Sequence, residues 1–188
     1  MYKLIFPTRV DYFDLSNEKE LEIAKSIISK KESIAEPHLL LQKGLSSYPT
    51  DDNILNHIAL LPLKVKIQKH LDTVVKDLGF SRPVKITKSW FNVMTAGQQV
   101  QQHRHEVSVY SGVLYLEVDN DSAVLQFHSP IEQLRMCEML SINTQYTEKT
   151  HAMPCFNGLL ILFPSWLEHS SLMNNSARRV AISFNTFY

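Results

Sequence analysis

Residues 158–187 read GLLILFPSWLEHSSLMNNSARRVAISFNTF. The opening apolar run, closed by Pro164, has the length of a core strand and is too short for a buried helix. His169 starts a second extended stretch after the turn at Pro164, and Asn174-Asn175-Ser176 marks the next turn. The last residues alternate: Arg179, Ala181, Ser183 and Asn185 share one face, and Val180, Ile182 and Phe184 share the other. The apolar face suits a protein core, which leaves the polar face to line a cavity.

The same period of two extends upstream. Candidate strands at 86–94, 98–105, 109–118, 123–128 and 136–143 join those at 158–163, 169–173 and 179–187, with turn signals such as Asn120-Asp121 and Ser129-Pro130 between them. Many short strands predict a sandwich or a barrel. Before residue 85 the period is helical. Asn17 followed by Glu20 resembles a capped helix start, and Leu21, Ala24, Ile27 and Ile28 mark one face. Thr50 to Asn53 is expected to cap a short helix carrying Ile54, Ile58 and Leu61. Pro62 fits the first turn of a longer helix with Leu63, Ile67, Leu71, Val74, Val75 and Leu78 as its stripe, ended by Gly79. Helices first and strands afterwards predict an α+β single domain over 1–188, its helical N-terminal half, 1–85, packed on a strand-built core, 86–188.

At 188 residues, 44% apolar and 20% charged, the chain has the composition of a globular protein with one sizeable core. Lys plus Arg equals Asp plus Glu, 19 each, so no net field draws in nucleic acid or an anionic membrane. Cys137 and Cys155 form no CxxC pair and are expected to be reduced thiols. The N-terminal apolar run is cut by Pro7, Arg9 and Asp11, with no signal-peptide pattern, so a cytoplasmic location is the expectation.

Of eight histidines, His38, His57, His70 and His151 sit in polar or helical contexts and are expected at the surface; His128 ends a strand. His103 and His105 differ. Two apart on a strand, they point to the same face while Arg104 points away. Imidazole suits iron, zinc, copper or nickel, so the pair alone does not name a metal. His169, brought across the mouth of a jelly roll, would complete a facial triad and leave three open positions on an octahedral ion. Arg179 on the cavity face is costly unless paired, and a carboxylate held by both arms of the guanidinium is its best partner. The ordinary alternative is a structural salt bridge.

Taken together, Trp90-Phe-Asn-Val, Gly97, His103-Arg-His105, Ser111-Gly-Val-Leu-Tyr115, Leu162-Phe-Pro-Ser-Trp-Leu-Glu-His169 and Arg179-Val-Ala-Ile-Ser-Phe-Asn185 resemble the 2-oxoglutarate and Fe(II)-dependent oxygenase superfamily. The branch they resemble comprises small oxygenases of marine bacteria and phages, distantly similar to prolyl 4-hydroxylases. The resemblance implies a double-stranded β-helix (jelly roll) with the N-terminal helices on one sheet. It implies a dioxygenase that hydroxylates a small-molecule or peptidyl substrate and releases succinate and CO2. His103 and His169 would ligate Fe(II). Arg179 would hold the distal carboxylate of 2-oxoglutarate with help from Tyr115 or Ser183, and Asn92 joins the cosubstrate-binding set. The superfamily usually has HxD or HxE; here the second position is His105. Glu106 is adjacent, but alternation turns it away, which favours His105. Ala181 stands where many relatives carry Ser.

Cupins share the architecture. Gly97 and His103-x-His105 fit the start of the first cupin motif, and Gly158, Pro164 and His169 fit much of the second. The Glu expected after the HxH is missing, and Trp166 replaces a Gly. A three-histidine cupin dioxygenase, an isomerase or a non-catalytic binding module are therefore rival readings, and Arg179 discriminates because only the oxygenase requires it. The loop at 131–153 is expected to shape the substrate entrance, with Trp90, Tyr110, Phe127 and Trp166 as candidate walls. An edge strand leaves room for a homodimer.

Overall fold

The computed structural model describes residues 3–131, 144 and 146–188. Among them are α1 (Glu20–Lys31) and α2 (Leu61–Asp77), and the strands β1 (Asp11–Asp14), β2 (Glu36–Pro37), β3 (Leu45–Ser46), β4 (Lys85–Met94) and β5 (Tyr110–Glu117). They are followed by β6 (Leu125–His128), β7 (Thr150–Ala152), β8 (Leu159–Pro164), β9 (His169–Ser171) and β10 (Arg179–Phe187). One sheet runs β1-β8-β5-β10-β4-β3-β2 and a second runs β7-β6-β9. All these pairs are antiparallel. This is the expected α+β jelly roll.

The apolar run at 159–163 is continuous because β8 is covered on both faces. Leu160 and Leu162 join the core shared with the helices, while Leu159, Ile161 and Phe163 join the core between the sheets. On β5, Leu114 and Leu116 face the helices, and Val113 and Tyr115 face the second sheet. Each Leu or Ile so buried contributes about 1.5–3 kcal/mol. β10 lies between β5 and β4, and its alternation is the one read from sequence: Val180, Ile182 and Phe184 pack under the helices, and Ala181 faces the second sheet. Gly112 is the close approach that lets Phe184 lie flat on β5; a Cβ there would stand 2.2 Å from the Phe184 ring.

Both long helices form. α2 has Pro62 in its first turn and buries Leu63, Ile67, Leu71, Val74 and Val75. It ends at Gly79 with φ of 77°, where the Phe80 N–H reaches back to the Val75 carbonyl. Leu78, expected in the stripe, is exposed. Buried Glu20 ties α1 to α2 through Lys66 Nζ at 2.7 Å.

Several boundaries differ from the sequence expectation. α1 begins at Glu20 after Lys19, and Asn17 lies in the preceding turn, which Asp14 caps by accepting the Ser16 N–H. The helix expected after Asn53 is two 3-10 turns, Ile54–Asn56 and Ile58–Leu60. The His57 ring accepts the Ala59 N–H and restarts the chain there, leaving Ile58 80% exposed. The N-terminal half also supplies strands, since β1 pairs with β8 and β3 pairs with β4. Residues 98–105 form no continuous strand; they touch their neighbours through bridges from Val100 to Leu41 and from His103 to His169. The strand expected at 136–143, and Cys137, lie outside the described residues. Cys155 is a half-buried free thiol.

Candidate functional site

His103 and His169 exchange both backbone hydrogen bonds, N–H to carbonyl, each at 2.9 Å. Such a pair in antiparallel chains sets two side chains next to each other on one face. The His105 N–H donates to the Ser165 carbonyl at 2.9 Å, which carries the third ring to the same place. Ring centroids lie 4.3 Å apart for His103 and His169, 5.0 Å for His103 and His105, and 5.1 Å for His105 and His169. One ligand nitrogen from each falls within 4.8 Å of the others. Glu106 is exposed and is not part of this group.

Burial holds all three imidazoles in the neutral form that a metal requires. It lowers the pKa of His103, pushes His105 down to about 4 and pushes His169 down to about 3, with the neighbouring rings adding repulsion in the last two. Phe163 packs on His169 at 4.7 Å between centroids.

The histidines open into a cavity of about 270 Å³, a size suited to small ligands or to the end of a longer one. Arg179, Ser183 and Asn92 line the same cavity. Arg179 is 4% exposed. Its Nε donates to the Ala123 carbonyl at 2.8 Å and its Nη1 meets Met94 Sδ at 3.4 Å, while the guanidinium lies 5.0 Å from the Tyr115 ring centre. Among the described residues no carboxylate pairs with it. The Asn92 Nδ2 donates to Ser183 Oγ at 3.1 Å, and Asn92 Oδ1 is buried without a partner among the described residues.

Tyr115 is fully buried behind Arg179 and does not line the cavity; its hydroxyl accepts the Leu125 N–H at 3.0 Å. Burial raises its pKa, against the pull of the Arg179 charge. Of the candidate walls, Trp90 lines the cavity, Tyr110 and Phe127 are core, and Trp166 is 54% exposed.

Residues of the cavity wall escaped the sequence reading, His38 and Tyr48 among them. His38, expected at the surface, lines the cavity and stacks edge-on with Tyr48 at 5.5 Å, which meets Trp90 at 4.9 Å. Burial lowers the His38 pKa. No periodicity marks which side chain of an N-terminal loop reaches a distant cavity. The other four histidines lie elsewhere: His57 under the Ala59 N–H, His70 against Phe13, His151 on Glu148 and His128 on Ser170.

The model of a family described as "Putative 2OG-Fe(II) oxygenase" matches residues 88–185. The fold is similar to that of a prolyl-4-hydroxylase from Pseudomonas putida, at TM-score 0.67 and 12% identity, covering 95% of this chain and 92% of that one. It is also similar to HygX from Streptomyces hygroscopicus, solved with nickel and 2-oxoglutarate bound, at TM-score 0.65 and 10% identity over 95% and 82% of the two chains. A third likeness is to the viral collagen prolyl hydroxylase of Paramecium Bursaria Chlorella virus-1, at TM-score 0.62 and 12% identity over 94% of each chain. No curated protein matches the chain in sequence.

Proposed function

The chain belongs to the 2OG-Fe(II) oxygenase family, and from that premise we propose that His103, His105 and His169 hold ferrous iron while Arg179 receives 2-oxoglutarate in the hydroxylation of a small-molecule or peptidyl substrate. The observation that carries this reading is a buried cation that has no carboxylate partner among the described residues, in the same cavity as three convergent imidazoles. An uncompensated buried charge is expensive, and a distal carboxylate is the ligand that removes the cost.

The residues fit both groups. Three neutral nitrogens suit a divalent ion and leave sites for exchangeable ligands. A ligand set without a carboxylate leaves the centre one charge more positive than the usual one, which a dianionic cosubstrate offsets. Asn92, on the cavity wall with Arg179, has a buried Oδ1 with no partner among the described residues, and a half-turn of that amide exchanges the acceptor for a donor. Tyr115 acts on Arg179 from behind, its ring under the guanidinium and its hydroxyl anchored to β6. Iron and 2-oxoglutarate together supply the oxidising chemistry, activating dioxygen as the ketoacid is converted to succinate and CO2. The chain binds the cosubstrate at its charged end, keeps the imidazoles unprotonated, and sets Phe163 beside His169 as an apolar screen against water.

A cupin-like metal site needs no buried guanidinium, so Arg179 again separates the readings. The deciding experiment is anaerobic titration of the Fe(II)-loaded protein with 2-oxoglutarate, watching the visible metal-to-ligand charge-transfer band. Its appearance, and its loss in Arg179→Ala with iron retained, is the expected result. No band with iron demonstrably bound would overturn the reading.

A further inference from the structure

Two of the three histidines are oriented by their own chain. His103 Nδ1–H donates to the Gln101 carbonyl at 2.8 Å, and His169 Nδ1–H donates to the Leu167 carbonyl at 2.9 Å. A carbonyl oxygen only accepts, so in both rings Nδ1 carries the proton and Nε2 keeps its lone pair. His105 is held differently: its Nδ1 faces the side-chain amide of Asn185 at 3.4 Å. An amide offers either a donor or an acceptor, so the tautomer of His105 follows from which way Asn185 stands. With Nδ2 toward the ring, the proton is forced onto Nε2 and that nitrogen is lost as a ligand. With Oδ1 toward the ring, His105 matches the other two.

The hydroxyls behind Asn185 decide between these states. The far end of the amide lies 2.8 Å from Ser111 Oγ, which lies 2.8 Å from Ser165 Oγ, which lies 2.8 Å from Ser108 Oγ. Ser108 Oγ accepts the Thr186 N–H at 3.1 Å and stands 3.0 Å from the carbonyl oxygens of both Tyr110 and Thr186. Each hydroxyl has one hydrogen to give. If the chain of donors ran toward Asn185, Ser108 would spend its hydrogen on Ser165 and press its oxygen against two carbonyl oxygens with no hydrogen between.

Run the other way, every contact along the relay holds a hydrogen, and Ser108 keeps its own for one of the two carbonyls. Ser108 donates to a carbonyl, Ser165 to Ser108, Ser111 to Ser165, and the amide Nδ2–H to Ser111, which leaves Oδ1 for His105 Nδ1–H. The half-turn of the amide exchanges two atoms of nearly equal size and displaces nothing. Ser111 and Ser165 are buried, so water does not substitute for a missing partner. The pairing of β10 with β4 is also irregular between Asn185 and Thr186, a device that re-aims a side chain beside a site.

We propose that Asn185 is a positioning residue that fixes His105 with Nδ1 protonated and Nε2 free for the metal, its own orientation set by the relay through Ser111, Ser165 and Ser108. A carboxylate at position 105 would need no such choice of tautomer; a histidine there does. The proposal rests on His105 being a ligand.

The test uses long-range 1H–15N spectra of the metal-free protein at neutral pH, together with Co(II) titration followed by visible absorption. The expected result is the Nδ1–H tautomer for His105. Asn185→Leu shifts it toward Nε2–H and weakens Co(II) binding about 10–100-fold, and Asn185→Asp, whose oxygen still accepts, restores both. Ser111→Ala moves tautomer and affinity in the same direction as Asn185→Leu. A wild-type His105 protonated on Nε2 overturns the proposal without any variant. So does a folded Asn185→Leu with the tautomer and the affinity unchanged; if that variant does not fold, the same null result in Ser111→Ala overturns it. Unchanged Co(II) affinity in His105→Ala would instead overturn the ligand reading itself, and the proposal with it.

Discussion

Arg179 stands on a nine-residue strand paired along its length to β4 on one side and over 180–185 to β5 on the other. His169 stands on a three-residue strand paired to β6, with His103 bridged beside it. The large sheet therefore holds the proposed anion end of the cavity by long ladders, and the proposed metal end hangs on a few individual backbone bonds. A ladder distributes the consequence of one change over many contacts. A site built on single bonds concentrates it, so the two ends should fail in different ways.

The largest expected effect is at the metal end. His169→Ala should weaken Fe(II) binding by at least ~100-fold, beyond the ~10–100-fold typical of a residue that only supports a ligand. 2-Oxoglutarate-dependent oxygen consumption should fall to background. Retained iron by metal analysis would erase the contrast between the two ends. Next, Arg179→Ala should raise the 2-oxoglutarate concentration needed for half-saturation on the order of 100-fold, in line with the loss of a charge-assisted pair. Iron affinity should change little; parallel loss of both would show that the ends are one unit.

Gly112→Ala tests the ladder itself. The added methyl collides with Phe184 and should cost about 1–3 kcal/mol, read as a drop in Tm of the metal-free protein. A methyl absorbed without change in Tm would mean that the large sheet yields more than its pairing implies. The smallest effect is expected far from the cavity. Arg178 holds Glu32 by two bonds, at 2.8 and 2.9 Å, and lowers its pKa. Glu32→Gln should cost a few tenths to about 1 kcal/mol at neutral pH. Because the folded pKa is depressed, that contribution is present above the ordinary Glu range and is lost as pH falls through the lowered value. Wild type and variant should therefore converge in acid; a gap that persists there would assign the effect to packing.

The same contrast explains what the sequence made legible. β10 was readable residue by residue because each of its faces meets a different environment, and β8 because a short run apolar on both faces fits a doubly covered strand. Residues 98–105 carry the same alternation but bond to their neighbours only at isolated points, which periodicity does not register. The 3-10 turns after Asn53 were hidden because Ile54, Ile58 and Leu61 keep a helix-like spacing while His57 interrupts the backbone between them. His38 and Tyr48 reach the cavity from loops, and the polarity of the Ser108, Ser165 and Ser111 chain depends on contacts across more than fifty positions of sequence. Neither leaves a local pattern.

A sheet of seven strands has two borders, and here both are closed by short strands from the N-terminal half. On one border β1 carries Asp11 and Asp14; on the other β2 is the dipeptide Glu36-Pro37, and proline has no N–H to offer. Either border offers a second molecule only a short strand, four residues on one side and two on the other. Short edge strands and an edge proline are devices that blunt strand-to-strand stacking, a hazard for a chain rich in antiparallel pairs. A truncation that removed β1 would leave β8, a strand apolar on both faces, as that border of the sheet.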